Sequence, residues 1–102
     1  MKLSVIGIGN MGQALISGFL KSGMLMPTDI HICDMDINKV REYANRTGCI
    51  PHTNALEAIQ NANYVLLSVK PQVIDSVVAS IADSLHEETV VISIVASVSL
   101  KR

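Results

Sequence analysis

Three glycines near the amino terminus constrain this chain more than any other feature. Gly7, Gly9 and Gly12 have G-x-G-x-x-G spacing. The apolar run Leu3-Ser4-Val5-Ile6 leads into them, and a helix-period pattern over 11–21 leads out. A glycine-rich turn that binds nothing has the same spacing. What separates the two readings is a strand before the motif and a helix after it, and this sequence supplies both. In that context each glycine has its own task. Gly7 permits the tight turn off the strand. Gly9 lets a pyrophosphate approach the backbone, and Gly12 lets the helix pack closely. The first amides and the positive end of the helix then face the phosphates. The candidate phosphate-binding stretch is Ile6, Gly7, Ile8, Gly9, Asn10 and Met11, with Asn10 expected to cap the helix.

The rest of the chain repeats this alternation. A second strand is expected over 30–33, followed by Asp34 and a helix over 37–46 that Gly48 ends. A short third strand begins at Cys49-Ile50 and is limited by Pro51. Asn54-Ala55-Leu56-Glu57 resembles a capping box and starts a short third helix. A fourth strand is expected over 63–69. A helix over 72–85 carries Val73, Val77, Ile81 and Leu85 on one stripe, with Ile74 and Val78 beside it. A β-branched fifth strand spans 89–95. In the first helix, Met11, Leu15 and Gly18-Phe19 mark the expected buried face.

The order β-α-β-α-β-α-β-α-β, with right-handed crossovers, gives an α/β fold: a Rossmann-type doubly wound parallel sheet with helices on both faces and strand order 3-2-1-4-5. Hydrophobic residues make up 49% of the chain and aromatics only 3%, so Val, Ile, Leu, Ala and Met must fill the core, as suits a covered parallel sheet. The 102 residues suffice for one domain. Strand order reverses between strands one and four, and ligands in such sheets bind at that switch point. The carboxyl ends there carry the glycine loop, Asp34, Val69-Lys70-Pro71 and Val95-Ala96.

Asp34 follows Gly12 at about the twenty-residue distance where an acidic residue takes the adenosine ribose hydroxyls and repels a 2′-phosphate. The competing reading is a solvated turn residue or a cap, a role that Asp36 or Asn38 nearby also fits. Lys39 and Arg41 stand just beyond, as 2′-phosphate receivers or as a solvated helix face. Lys70 is read as lining the nicotinamide side through its backbone rather than as a catalytic amine, because Pro71 fixes the chain beside it. Asn54 either faces the adenosine or only caps its helix.

Net charge is −1 with no basic run, which gives no support to nucleic-acid or anionic-membrane binding. No apolar stretch reaches membrane-span length, and no signal-peptide pattern precedes the first strand. Cys33 and Cys49 form no C-x-x-C and are read as two buried free thiols of a cytoplasmic protein, ahead of a lone disulfide. His31, His52 and His86 have no metal-ligand spacing and are read as structural or surface residues, so no metal site is expected.

Three segments together resemble one family. Ile6-Gly7-Ile8-Gly9-Asn10-Met11-Gly12-Gln13-Ala14 is similar to the amino-terminal fingerprint of pyrroline-5-carboxylate reductases. Ser68-Val69-Lys70-Pro71-Gln72 resembles their V-K-P-Q segment, and Val91 to Leu100 resembles their I-S-I-A-A-G-V-S-L segment. The first motif is shared with related reductases, including the coenzyme-F420-dependent NADP reductase type.

The resemblance implies a proline-biosynthesis oxidoreductase that reduces 1-pyrroline-5-carboxylate with a hydride from NADPH or NADH. It implies that Ile6 to Met11 hold the pyrophosphate and that residues near Asp34 and Asn54 face the adenosine. Val69, Lys70, Pro71 and Ala96 then line the nicotinamide half. It further implies a helical carboxyl-terminal domain, absent from residues 1–102, that forms a homo-oligomer and supplies the substrate pocket. No catalytic residue is therefore expected in this chain, which alone should bind cofactor without turnover. Ser97 stands where the family usually has glycine. Met35 follows Asp34 where many relatives offer an arginine or a serine-rich phosphate site, which tilts the choice towards NADH or dual use. Alternatives are a cofactor domain for another imine or for a coenzyme-F420-dependent reaction, and a non-enzymatic nucleotide-sensing module.

Overall fold

A computed structural model describes residues 1–85 and 87–94. The elements run β1 (Leu3–Ile6), α1 (Asn10–Ser22), a 3₁₀ turn (Pro27–Asp29), β2 (Ile30–Cys33), α2 (Ile37–Thr47), β3 (Ile50–Pro51), α3 (Ala55–Ala58), β4 (Tyr64–Leu67), α4 (Pro71–Ile81), a second 3₁₀ turn (Ala82–Ser84) and β5 (Val90–Ser93). Every strand pairing is parallel, and the sheet order is β3-β2-β1-β4-β5, as expected. The register sets Ile6 beside Cys33 on one side and Leu67 on the other, so the strands flanking the switch point end level with one another.

Over β1, β2 and β4 both faces of the sheet are covered. On one, Leu3, Val5, Ile30, Ile32 and Leu66 pack with Ile16 of α1 and with Val40 and Tyr43 of α2. On the other, Ile6, Cys33, Val65 and Leu67 pack with Ala58, Ile59, Ala62 and Ile81. Val5, Ile32 and Val65 lose all exposure to water. Each such aliphatic side chain contributes roughly 1.5–3 kcal/mol relative to an exposed one. Ser4 is the buried polar exception, and its hydroxyl is satisfied by donating to the Ala58 carbonyl. The two cysteines are free and buried. Burial pushes both thiols up from their ordinary pKa.

Several boundaries differ from the sequence expectation. Asn10 does not cap α1: it is already helical, and Gly9 is the N-cap, in extended conformation. The buried face of α1 is Gly12 and Ile16, supported by Leu15, Phe19 and Leu20, whereas Met11 is 61% exposed and Gly18 is exposed. The apolar residues of α1 fit more than one helical phase, and contact with the sheet selects the phase of Ile16. Pro71 opens α4, one residue before the expected start, because the first helical turn needs no amide donor there. This helix stops at Ile81, and the remaining turn is 3₁₀, short of the expected Leu85. Pro51 lies inside β3, an edge strand that tolerates a missing donor. At the other edge, Val90, Val91 and Ile92 of β5 are all exposed. His86, Val95, Ala96 and Ser97 to Leu100 lie outside the described residues.

Candidate functional site

The glycine loop is built by three close approaches. Gly7 adopts φ +97°, and a Cβ there would run into the carbonyl of Ser68, so only glycine suits the position. Its amide donates to the Cys33 carbonyl at 2.7 Å, while the Ser68 amide donates to the Ile6 carbonyl at 2.8 Å. The turn is thus tied to the ends of β2 and β4 at once. A Cβ on Gly12 would lie 2.6 Å from the Gly7 carbonyl oxygen and 3.1 Å from the Ser68 hydroxyl. Gly12 therefore serves the packing of the helix start on the loop and Ser68. A Cβ on Gly9 would meet nothing within 4 Å. Gly9 leaves open space in front of the first amides of α1, which have no intrahelical acceptor.

That space belongs to a groove of about 370 Å³ at the switch point. Seven of the twelve expected residues line it: Ile6, Gly7, Gly9, Asp34, Asn54, Val69 and Lys70. Ile8 does not. Its side chain is fully buried, and it serves through its backbone, donating an N–H to Asp34 Oδ2 at 2.8 Å. Asn10 and Met11 are exposed at the start of α1, and Pro71 lies at the start of α4; none of the three lines the groove. Ala96 falls outside the described residues.

Asp34 is held by three partners. Oδ2 accepts from Ile8 and lies 3.4 Å from Lys39 Nζ, and Oδ1 accepts the Asp36 N–H at 3.0 Å. Burial by itself raises the pKa of this carboxyl. The Asp36 and Ile8 amides and the Lys39 ammonium outweigh it and hold Asp34 below the ordinary carboxylate range. The residue is anionic at neutral pH and fixed in orientation. Asp36 caps α2 by accepting the Lys39 N–H, so the helix cap and the carboxylate lining the groove are different residues. Asn54 caps α3, with its side chain accepting the Glu57 N–H at 2.9 Å, and it also borders the groove.

The sequence reading missed part of the wall. Val73, Val77 and Ser80 of α4 line the groove together with Ala55, Cys33, Thr53 and Ser68. Val73 and Val77 were assigned to a core stripe, and their position four residues apart was the available signal. They remain half-buried because the helix faces a groove there. Met35 reaches the same mouth and is 93% exposed. His31 and His52, distant in sequence, meet across β2 and β3 with Nδ1 and Nε2 2.7 Å apart and stacked rings. A second hollow, of about 510 Å³, lies before β4 and β5 and is lined by Asn61, Ala62, Asn63, Glu87, Glu88 and Thr89. Its two carboxylates make it a poor receptor for phosphate.

A family model described as NADP oxidoreductase, coenzyme F420-dependent, matches residues 2–97. The chain belongs to this family. Within it, the chain is similar to pyrroline-5-carboxylate reductases. The one from Escherichia coli is 33% identical over 99 residues, covering 97% of this chain and 37% of the relative. A solved pyrroline-5-carboxylate reductase from Coxiella burnetii superimposes with TM-score 0.84 at 28% identity, over 90% of this chain and 34% of that one. The Plasmodium falciparum pyrroline carboxylate reductase, solved with NADP bound, shares the fold at TM-score 0.77 and 22% identity, over 92% of this chain and 33% of that one. The chain thus spans about a third of the length of the relatives it matches. Among the described residues, no helix of this oxidoreductase-family chain is long and apolar enough to cross a membrane.

Proposed function

We propose that this chain is the NAD(P)H-binding domain of a pyrroline-5-carboxylate reductase, acting in the reduction of 1-pyrroline-5-carboxylate to L-proline in the cytoplasm. The observation that carries the reading is the open face of Gly9 before the start of α1, in a groove that also holds Asp34 and Lys70. A pyrophosphate fits there for two physical reasons: no side chain occupies the approach, and the helix start presents amides and a positive dipole end. Similarity to pyrroline-5-carboxylate reductases over nearly the whole chain supports the substrate assignment.

When bound, NAD(P)H supplies the hydride. This chain's residues orient it. The glycine loop seats the pyrophosphate and Asp34 takes the adenosine ribose. Asn54 borders the adenosine end, and Val69, Lys70 and Pro71 set the backbone on the nicotinamide side. The half-buried side chains of Val73 and Val77 add apolar surface to the groove wall. The imine acceptor needs a second wall, which we assign to further chain length of the kind the longer relatives have. We assign substrate binding, homo-oligomer formation and turnover to that part. Asp34 favours NADH or dual use over strict NADPH dependence.

Titration of the purified protein with NADH and NADPH tests the reading. Both should bind, with NADH at least as tight as NADPH. A clear preference for NADPH defeats the role given to Asp34, and binding of neither defeats the role given to the loop. The family description favours one second reading, a cofactor domain for a coenzyme-F420-dependent reaction. Turnover of the whole protein with pyrroline-5-carboxylate or with a deazaflavin separates the two.

A further inference from the structure

Lys39 is the residue of α2 that reaches the groove. It lies one helical turn inside the N-terminus, lines the mouth beside Asp34, Met35 and Gly9, and keeps 38% of its side chain exposed. Its ammonium rests 3.4 Å from Asp34 Oδ2. Arg41, two residues on, is exposed and does not line the groove, and Arg46 lies over the Tyr43 ring at 5.1 Å. Among the described residues lining the groove the cations are Lys39 and Lys70, and Lys70 is the N-cap of α4, beyond the end of β4 and across the switch point from α2.

The hydrogen-bond arithmetic at Asp34 is asymmetric. Oδ2 accepts the Ile8 amide and has the Lys39 ammonium 3.4 Å away, whereas among the described residues Oδ1 accepts only the Asp36 amide. A carboxylate offers about four lone-pair directions, so roughly one remains, on Oδ1, for a ribose hydroxyl. A 2′-phosphate carries about two negative charges and cannot share that carboxylate. It needs a cation at the same place. The Lys39 ammonium has three protons and is ion-paired with Asp34, and its flexible stem lets it turn to a neighbouring oxyanion.

We propose that Lys39, parked on Asp34, is the residue that admits NADPH: it leaves the carboxylate to pair with the 2′-phosphate, and stays on the carboxylate when NADH binds. This rests on the dinucleotide reading above and deepens it. The two ligands use different atoms of one ion pair. The ribose hydroxyl of NADH takes the free direction of Asp34 Oδ1, with Lys39 undisturbed. The phosphate of NADPH draws Lys39 away, while the Ile8 and Asp36 amides keep Asp34 in place. Asp34 sets the affinity for NADH, and Lys39 alone offsets its repulsion of the phosphate.

Calorimetric titration of wild-type protein, Lys39→Ala and Lys39→Arg with NADH and with NADPH tests the assignment. Lys39→Ala should weaken NADPH at least about tenfold, the scale of one charge-assisted hydrogen bond, and change NADH by no more than about twofold. Lys39→Arg should retain NADPH binding, because a guanidinium also pairs with phosphate. The NADPH affinity of wild-type protein should fall more steeply with salt than that of Lys39→Ala. Equal losses for both ligands, or loss for neither, overturns the role of Lys39 and leaves the dinucleotide reading standing. Failure of wild-type protein to bind either ligand overturns the dinucleotide reading itself. Retained folding of the variants is checked by circular dichroism.

Discussion

Asp34 accepts the backbone N–H of Ile8 at 2.8 Å, across 26 residues of chain. The carboxylate expected to meet the ribose is therefore also a strut of the phosphate loop. It ties the turn after β1 to the end of β2, beside the bond from the Gly7 amide to the Cys33 carbonyl. The proposed cofactor selectivity and the observed loop shape share one side chain.

Asp34→Asn should consequently affect both. The neutral amide loses the charge that holds Lys39 and strengthens the bonds from Ile8 and Asp36. NADH affinity is expected to fall by roughly 3–10-fold, and the preference should shift towards NADPH as Lys39 is released. Paired titrations with the two cofactors check this. An unchanged NADH-to-NADPH ratio contradicts it. Because the folded carboxyl titrates below its ordinary value, its stabilising effect is complete above a pH of about 3.8 and is lost as the pH falls through the lower, folded value.

Gly9→Leu should abolish binding of either dinucleotide and leave the fold intact. A side chain there meets open space in the free protein and fills the pyrophosphate position. The melting temperature should stay within a few degrees, about the span of 1 kcal/mol for a domain of this size. Gly7→Ala should behave in the opposite way, since its φ of +97° and the nearby Ser68 carbonyl resist any side chain. A loss of roughly 2 kcal/mol or more in denaturant unfolding is expected there.

His31 provides a pH signature of the fold. Burial, then the charges of Lys2 and His52, lower its pKa to about 4 from 6.5, against an opposing pull from Asp29. Between these values the unfolded chain binds more protons than the folded one. The contribution of neutral His31 is therefore complete above about 6.5 and is lost as the pH falls towards 4. Glu57 faces the other ring of the pair, 3.5 Å from His52 Nδ1. Urea unfolding between pH 7.5 and 4.5 should show a smaller pH dependence in His31→Gln than in wild-type protein. Equal slopes remove His31 from the account.

Ile16→Ala tests the phase of α1. Ile16 is fully buried against β1 and β2 residues, and its truncation should cost about 2–5 kcal/mol. Met11→Ala, at an exposed site, should change stability by no more than about 0.5 kcal/mol. Similar losses at both sites would return Met11 to the buried face.

The parallel sheet, its order and the position of the glycine loop were determined by the sequence alone. They follow from signals close along the chain: apolar strand runs, helical periodicity, glycines at turns, and a crossover rule with one favoured hand. The tertiary structure decided which amide Asp34 would brace, that Lys39 and not Arg41 would stand at the mouth, and that Val73 and Val77 would wall a groove. It also joined His31 to His52. These contacts depend on how strand ends align and which way each helix turns against the sheet. Local periodicity tolerates several such phases, and only simultaneous packing of both faces selects one.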